Sequence, residues 1–193
     1  MQLIFATHNQ NKVKEIKSLL PEKLELLSLN DIDFHETIAE TENTIEGNSL
    51  LKAKTINSKT DKDCFADDTG LEVKFLGGAP GVLSARYSGE NSNDLKNVEK
   101  LLNEMQFATD RSAQFRTVIS LLIYNKTYIF EGIVKGRIAL APKGNSGFGY
   151  DPVFIPDGFN KTFAEITLEE KNKISHRASA FNKMIEFLKN MHV

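Results

Sequence analysis

Two adjacent carboxylates, Asp67 and Asp68, follow the apolar run Cys64-Phe65-Ala66 and precede Thr69 and Gly70. Neighbouring carboxylates at the end of a strand are costly unless paired or bound to a metal. Magnesium favours one or two carboxylates, with water and phosphate oxygens completing its shell. An aspartate can also take the proton from an attacking water. Asp, Thr and Gly form turns as well, so a solvated turn is the competing explanation. A second acidic patch, Glu36, Glu40, Glu42 and Glu46, is by default a solvated face. Glu40 gains meaning if the fold brings it beside Asp68. Lys52 and Lys54 stand between a solvated helix face and a phosphate contact in the same way.

A phosphate would suit Thr7-His8-Asn9-Gln10-Asn11-Lys12. This segment lies between an apolar strand and an amphipathic helix, where backbone N–H groups and the helix dipole attract anions. Thr7 and Asn9 can donate hydrogen bonds and Lys12 supplies a point charge. The Gly-x-x-x-x-Gly-Lys pattern of a P-loop is missing. An ordinary capped helix start explains the same residues.

A flat ligand would suit Gly144-Asn145-Ser146-Gly147-Phe148-Gly149-Tyr150-Asp151-Pro152. Glycines let backbone approach a ligand closely, and Phe148 offers a face for stacking a base. A loop with an inward aromatic is the alternative. Further on, Lys171, His176 and Arg177 can donate to phosphate or base oxygens. A mixed-charge helix start on the surface accounts for them equally.

The elements that must position these groups alternate in type. Leu3-Ile4-Phe5-Ala6 predicts a buried first strand, and Val13, Ile16 and Leu20 a helix after it. A second strand is expected over 24–29 and a helix over 44–58. Leu71-Glu72-Val73 resumes strand character. Leu95, Val98, Leu102 and Met105 mark another helix. Residues 113–140 switch to period two and predict a hairpin about Asn125-Lys126. Ile174, Ala178, Phe181, Ile185 and Leu188 predict one terminal helix. The class is α/β with a mixed sheet, and no linker or repeat divides residues 1–193, so one domain is expected.

With 24 Lys plus Arg against 26 Asp plus Glu in 193 residues, no basic surplus draws in a nucleic acid polymer. No apolar run reaches the ~18 residues of a spanning helix, and no basic leader precedes Leu3, so a cytoplasmic protein without a membrane partner is the default. The lone Cys64 excludes an internal disulfide and is expected to be a small core residue.

Together these strings resemble the inosine triphosphate pyrophosphatases, the HAM-like house-cleaning nucleotidases. The matching residues are Thr7 to Lys12 with Glu15, Glu40-Thr41, Asn48, Lys52-Ala53, Ala66 to Leu71, Gly77 to Gly81, Ser84 to Tyr87, Gly147 to Pro152 and Ser175-His176-Arg177. The resemblance implies a two-lobed α/β fold, a long mixed sheet flanked by helices with a central cleft, usually in a homodimer. It implies hydrolysis of ITP, dITP or XTP to the nucleoside monophosphate and pyrophosphate with Mg2+. By position, Asp68 looks like the catalytic carboxylate and Glu40 with Asp68 the metal carboxylates. Thr7, His8, Asn9, Gln10, Asn11, Lys12 and Lys52 look like phosphate-side contacts, and Thr69 a further substrate contact. Phe148, Gly149, Tyr150, Asp151, Lys171, His176 and Arg177 look like base-side contacts. Two positions depart: His8 stands where glycine is common, and Gly47 where a glutamate is common, leaving Asp67 and Glu46 as possible substitutes at the metal. Two other classes fit part of the pattern: a nucleotide-binding module without turnover, and a pyrophosphatase of modified pyrimidine triphosphates.

Overall fold

The computed structural model describes residues 1–89 and 93–191. Its elements in chain order are β1 (Gln2–Phe5), α1 (Gln10–Lys17), β2 (Glu25–Ser28), α2 (Ile45–Thr60), β3 (Cys64–Val73), β4 (Pro80–Gly81), α3 (Asp94–Glu104), β5 (Ser112–Ile123), β6 (Lys126–Ile138), β7 (Phe154–Pro156), α4 (Leu168–Ile174) and α5 (His176–Asn190). The sheet runs β2-β1-β3-β5-β6-β7, with β4 on β3. β1 pairs parallel with β2 and β3, whereas β4 and β7 pair antiparallel. The expected α/β class with a mixed sheet is therefore the one observed.

The chain forms two compact units. The first comprises residues 1–68, 117–132 and 177–193, and the second residues 69–116 and 133–176. β3, β5 and β6 contribute to both.

In the first unit, period-two alternation along β3 sends successive side chains to opposite faces. Phe65 packs with Val13 and Ile16 of α1 and with Phe181, Met184 and Ile185 of α5. Cys64 and Ala66 pack with Ala53 and Ile56 of α2. The alternation predicts that Asp67 faces the α1/α5 layer and Asp68 the α2 layer. The second unit has its own core, in which Leu71 and Val73 join Val98 and Leu101 of α3, Phe115, Phe154 and Phe163.

Two boundaries differ from the sequence-based expectation. The hairpin turn falls on Tyr124-Asn125, both with positive φ (50° and 60°), one residue before the expected pair. Such angles at both central residues match the strand twist. The terminal helix is two helices. Ser175 is extended (φ −74°, ψ 153°) and separates α4 from α5, so Ile174 belongs to the second unit's core and only the later residues of the series follow α5.

Candidate active site

α1 is started by Asn9, whose side chain accepts from the amides of Asn11 (3.0 Å) and Lys12 (3.2 Å). Thr7 Oγ1 accepts from the Asn9 amide at 3.1 Å. Two of the helix's first amides are thereby satisfied internally, which leaves the side chains to carry more of any anion binding. His8, Gln10 and Asn11 are exposed and Lys12 is half-buried. The His8 side chain reaches the segment before α2. Its Nε2 lies 3.1 Å from the Glu36 carbonyl, and its ring stacks with Phe34 at 6.4 Å.

The strand alternation separates the two aspartates. Asp67 accepts from Lys12 Nζ (2.7 Å) through one oxygen and from Arg177 Nε (2.9 Å) through the other. Arg177 Nη1 continues to Glu15 at 2.5 Å. Arg177, Asp67 and Glu15 are 2%, 1% and 5% exposed, so this is an interior chain of alternating charge. Burial alone would raise the Asp67 carboxyl, but Lys12, Arg177 and Lys52 override it and hold it well below the usual range. Burial, helped by Lys52 and Arg177, lowers the Lys12 ammonium despite Asp67. The expectation of a surface start for this helix is overturned: Arg177 and its neighbour His176 are both buried.

On the opposite face, Lys52 of α2 donates to Asp68 (2.8 Å) and to Glu40 (2.7 Å). Lys52 is buried rather than solvated. Burial pushes the Asp68 carboxyl up, Lys52 and Lys12 pull it back, Glu40 repels it, and the net position is raised. Burial acts on Glu40 too, yet Lys52 and Lys12 hold it below the ordinary value. Burial opposes the charge on Lys52, and Asp68 and Glu40 more than compensate.

The donor set of Glu40 and Asp68 is all oxygen, the kind a hard divalent cation takes. Among the described residues no group of three His, Cys, Asp or Glu side chains forms a protein-only metal site. Asp67 is an unpromising substitute ligand, because each oxygen already accepts from a cation. At Gly47, an added Cβ would stand 2.7 Å from Glu42 Cβ and 3.0 Å from Thr44 Oγ1. Thr44 caps α2 there, accepting from the Gly47 amide at 3.0 Å.

In the second unit, Gly147 and Gly149 flank Phe148 with φ of 75° and 61°, angles that favour glycine. The Phe148 amide donates to Asp151 Oδ2 at 3.0 Å. Lys171 donates to the same oxygen at 2.5 Å, with both side chains nearly inaccessible. The Lys171 ammonium lies 5.2 Å from the Phe148 ring centre and 5.3 Å from that of Phe163. Tyr150 is buried and donates to the Ser84 carbonyl at 2.9 Å. His176 stacks on Phe115 at 4.6 Å. Thr69 is half-buried on β3, next to Asp68.

Sequence reasoning missed Asp94 and the two aromatics around His176. Asp94 accepts from the Gly149 amide at 2.7 Å across 55 residues. Its place in the first turn of α3 gave no signal beyond helix-start chemistry. Phe115 and Phe163 carried only a core signal.

Buried lysine–carboxylate clusters on an α/β fold, with a glycine-flanked aromatic loop, have the chemistry to take a phosphorylated ligand with a planar group, although the fold alone assigns no function. The Ham1 family model matches residues 3–187, and the chain belongs to the Ham1 family. It is 57% identical over 190 residues to a dITP/XTP pyrophosphatase of Flavobacterium psychrophilum, covering 98% of this chain and 100% of the relative. It is 53% identical over 188 residues to a dITP/XTP pyrophosphatase of Christiangramia forsetii, covering 97% and 99%. The solved Ham1 protein of Staphylococcus aureus superposes with a TM-score of 0.89 at 40% identity, covering 99% of this chain and all of that one.

Proposed function

We infer that this chain hydrolyses nonstandard purine nucleoside triphosphates, ITP, dITP and XTP, to the monophosphate and pyrophosphate, removing them from the nucleotide pool. Full-length similarity to dITP/XTP pyrophosphatases supports the substrate class. The single observation that carries the chemistry is the division of labour along β3, where Asp67 is committed to Lys12 and Arg177 while Asp68, on the opposite face, accepts from Lys52.

In this proposal Thr7, His8, Asn9, Gln10, Asn11 and Lys12 bind the polyphosphate, with Lys52 and Thr69 as further contacts. Lys12 is aimed by Asp67, which fixes its ammonium. Asp68, with its carboxyl raised, orients a water and accepts its proton. Glu40 and Asp68 would hold Mg2+, which when bound offsets charge on the phosphates and the departing pyrophosphate.

Phe148, Gly149, Tyr150, Asp151, Lys171, His176 and Arg177 form the proposed base-side set. Tyr150 acts there by holding the loop, since its hydroxyl is spent on Ser84. Arg177 is held at Nε by Asp67 and at Nη1 by Glu15, and in this proposal its guanidinium is the donor of the set. Hypoxanthine and xanthine present a 6-oxo acceptor to such donors. Adenine presents an amino donor, and an unpaired buried donor costs about 1–3 kcal/mol, roughly tenfold to a hundredfold per contact.

No helix among the described residues is long and apolar enough to cross a membrane. We place the enzyme in the cytoplasm as a single functional domain over 1–193, acting as a homodimer.

The test is a panel of ITP, XTP, ATP, dUTP and methylated pyrimidine triphosphates with Mg2+, scoring pyrophosphate against orthophosphate. Pyrophosphate from ITP and XTP is expected. Tight binding of ITP without product would favour a non-hydrolytic module, and faster turnover of the pyrimidines would favour the other pyrophosphatase class.

A further inference from the structure

The loop that carries Phe148 is open on its Gly149 side. Gly147 and Gly149 flank the aromatic, and a Cβ built on Gly149 would meet nothing within 4 Å. Side-chain packing therefore does not fix the backbone on that side of the ring. Hydrogen bonds do. The Phe148 amide is tied inside the loop, to Asp151. The Gly149 amide is tied from outside it, to Asp94 Oδ2 at 2.7 Å. A carboxylate accepting from a backbone amide is a strong, directional bond.

α3 is built to deliver that carboxylate. Asn93 caps the helix by accepting from the Lys96 amide at 3.0 Å, which fixes the first turn where Asp94 sits. One turn on, Asn97 is 2% exposed. Its Nδ2 donates to the carbonyls of Ser84 (3.4 Å) and Ala85 (3.0 Å). The Ser84 carbonyl also receives the Tyr150 hydroxyl. Two consecutive residues of the loop, Gly149 and Tyr150, are thus connected to one helix face, through Asp94 directly and through Asn97 by way of Ser84.

We propose that Asp94 is a positioning residue for purine recognition: its carboxylate holds the Gly149 amide and so sets the plane of the Phe148 ring on which the base stacks. It touches no reacting atom. The proposal rests on the assignment of Phe148 to the base. Losing the bond frees a glycine with wide conformational choice, so the ring samples orientations that do not stack and substrate affinity falls. The phosphate-side groups Thr7 to Lys12 and Lys52 are left as they are, so turnover at saturation is spared.

The test uses the full chain with Mg2+ and measures kcat and KM for ITP in Asp94→Ala, Asp94→Asn, Phe148→Ala and the Asp94→Ala/Phe148→Ala double variant, with a thermal midpoint for each. Asp94→Ala is expected to raise KM about tenfold, as one charge-assisted bond is lost, with kcat within about twofold. Asp94→Asn keeps an acceptor oxygen and restores most of the affinity. In the double variant the KM is no worse than in Phe148→Ala, because residues acting through one another are not additive. If Asp94 serves only the start of α3, the midpoint falls, KM stays at the wild-type value and the proposal is overturned. Additive effects in the double variant overturn it as well. If Phe148→Ala leaves KM unchanged, the base assignment itself fails and takes the proposal with it; an unchanged Asp94→Ala beside an impaired Phe148→Ala rejects the proposal alone.

Discussion

Lys52 stands between Glu40 and Asp68, with its ammonium 2.7 Å from the first carboxylate and 2.8 Å from the second. One positive charge thus serves two negative ones in a mostly buried position, so the trio keeps a net charge of about −1. That residual charge is what would draw the proposed divalent cation, because an anion in a site of low dielectric is strongly felt.

Removing the ammonium tests that attraction. In Lys52→Met the carboxylates face each other without their shared cation. Mn2+ used as a probe for the proposed metal position is expected to bind the substrate-free variant at least about tenfold more tightly than wild type, since neighbouring carboxylates gain most from a divalent ion. Catalysis should nonetheless fall, because a phosphate-side cation is gone. Titration followed by electron paramagnetic resonance measures the affinity. Equal or weaker binding by the variant would show that Lys52 does not compete with the metal.

Asp68→Asn tests the proton acceptor. The amide keeps the shape of the carboxylate, and Lys52 stays paired with Glu40, so the fold has no new unpaired buried charge. The expected loss in kcat for ITP is about 10²–10⁴-fold, the usual contribution of a positioned general base. The circular dichroism spectrum and elution volume should match wild type. A turnover within threefold of wild type would remove Asp68 from the proton-transfer role.

Much of this was legible in the sequence because it depends on period. The 3–4 spacing in α1 and the alternation of β6 follow from burial of one face, whereas Thr117 to Ile123 of β5 are buried on both faces and Leu95 of the α3 series is 76% exposed. The same alternation in β3 separates Asp67 from Asp68. What the sequence withheld was partnership at long separation. That Arg177 would be buried on Asp67, 110 residues away, is decided by how β3 and α5 pack, and no local pattern records it. Lys52 looked like a solvated helix residue for the same reason: its compensating carboxylates come from β3 and from the segment before α2. The break at Ser175 was hidden because apolar spacing runs across it, while the residue itself has no strong breaking signal.

The lone thiol makes a simple probe of the first unit's core. Burial pushes Cys64 up to about 12, and its sulfur donates to the Ala53 carbonyl at 3.2 Å. Only the thiolate reacts with a disulfide reagent, so at pH 8 the native protein should label at least about a hundredfold more slowly than a denatured control. The sign of the linkage follows. A raised folded value favours the neutral, folded form, so this contribution is intact below the unfolded thiol's ~8.5 and declines as pH rises toward about 12. Rapid stoichiometric labelling of the native chain would contradict the burial.

The interior chain Lys12–Asp67–Arg177–Glu15 predicts an asymmetric pair of stability effects. In Arg177→Met, Asp67 keeps Lys12, but the Glu15 bond at 2.5 Å is lost and a buried carboxylate is left without its cation. Breaking a buried pair from one side costs about 3–5 kcal/mol. At this chain length that lowers the thermal midpoint by roughly 6–20 °C. Adding Glu15→Leu removes the stranded charge and replaces it with apolar surface against the α1/α5 layer, so the double variant should recover at least about half of the lost midpoint. Differential scanning calorimetry of the two variants measures both effects. A double variant less stable than Arg177→Met would mean that Glu15 is held by other contacts strong enough to carry its charge, and that the Arg177 bond contributes little to the fold.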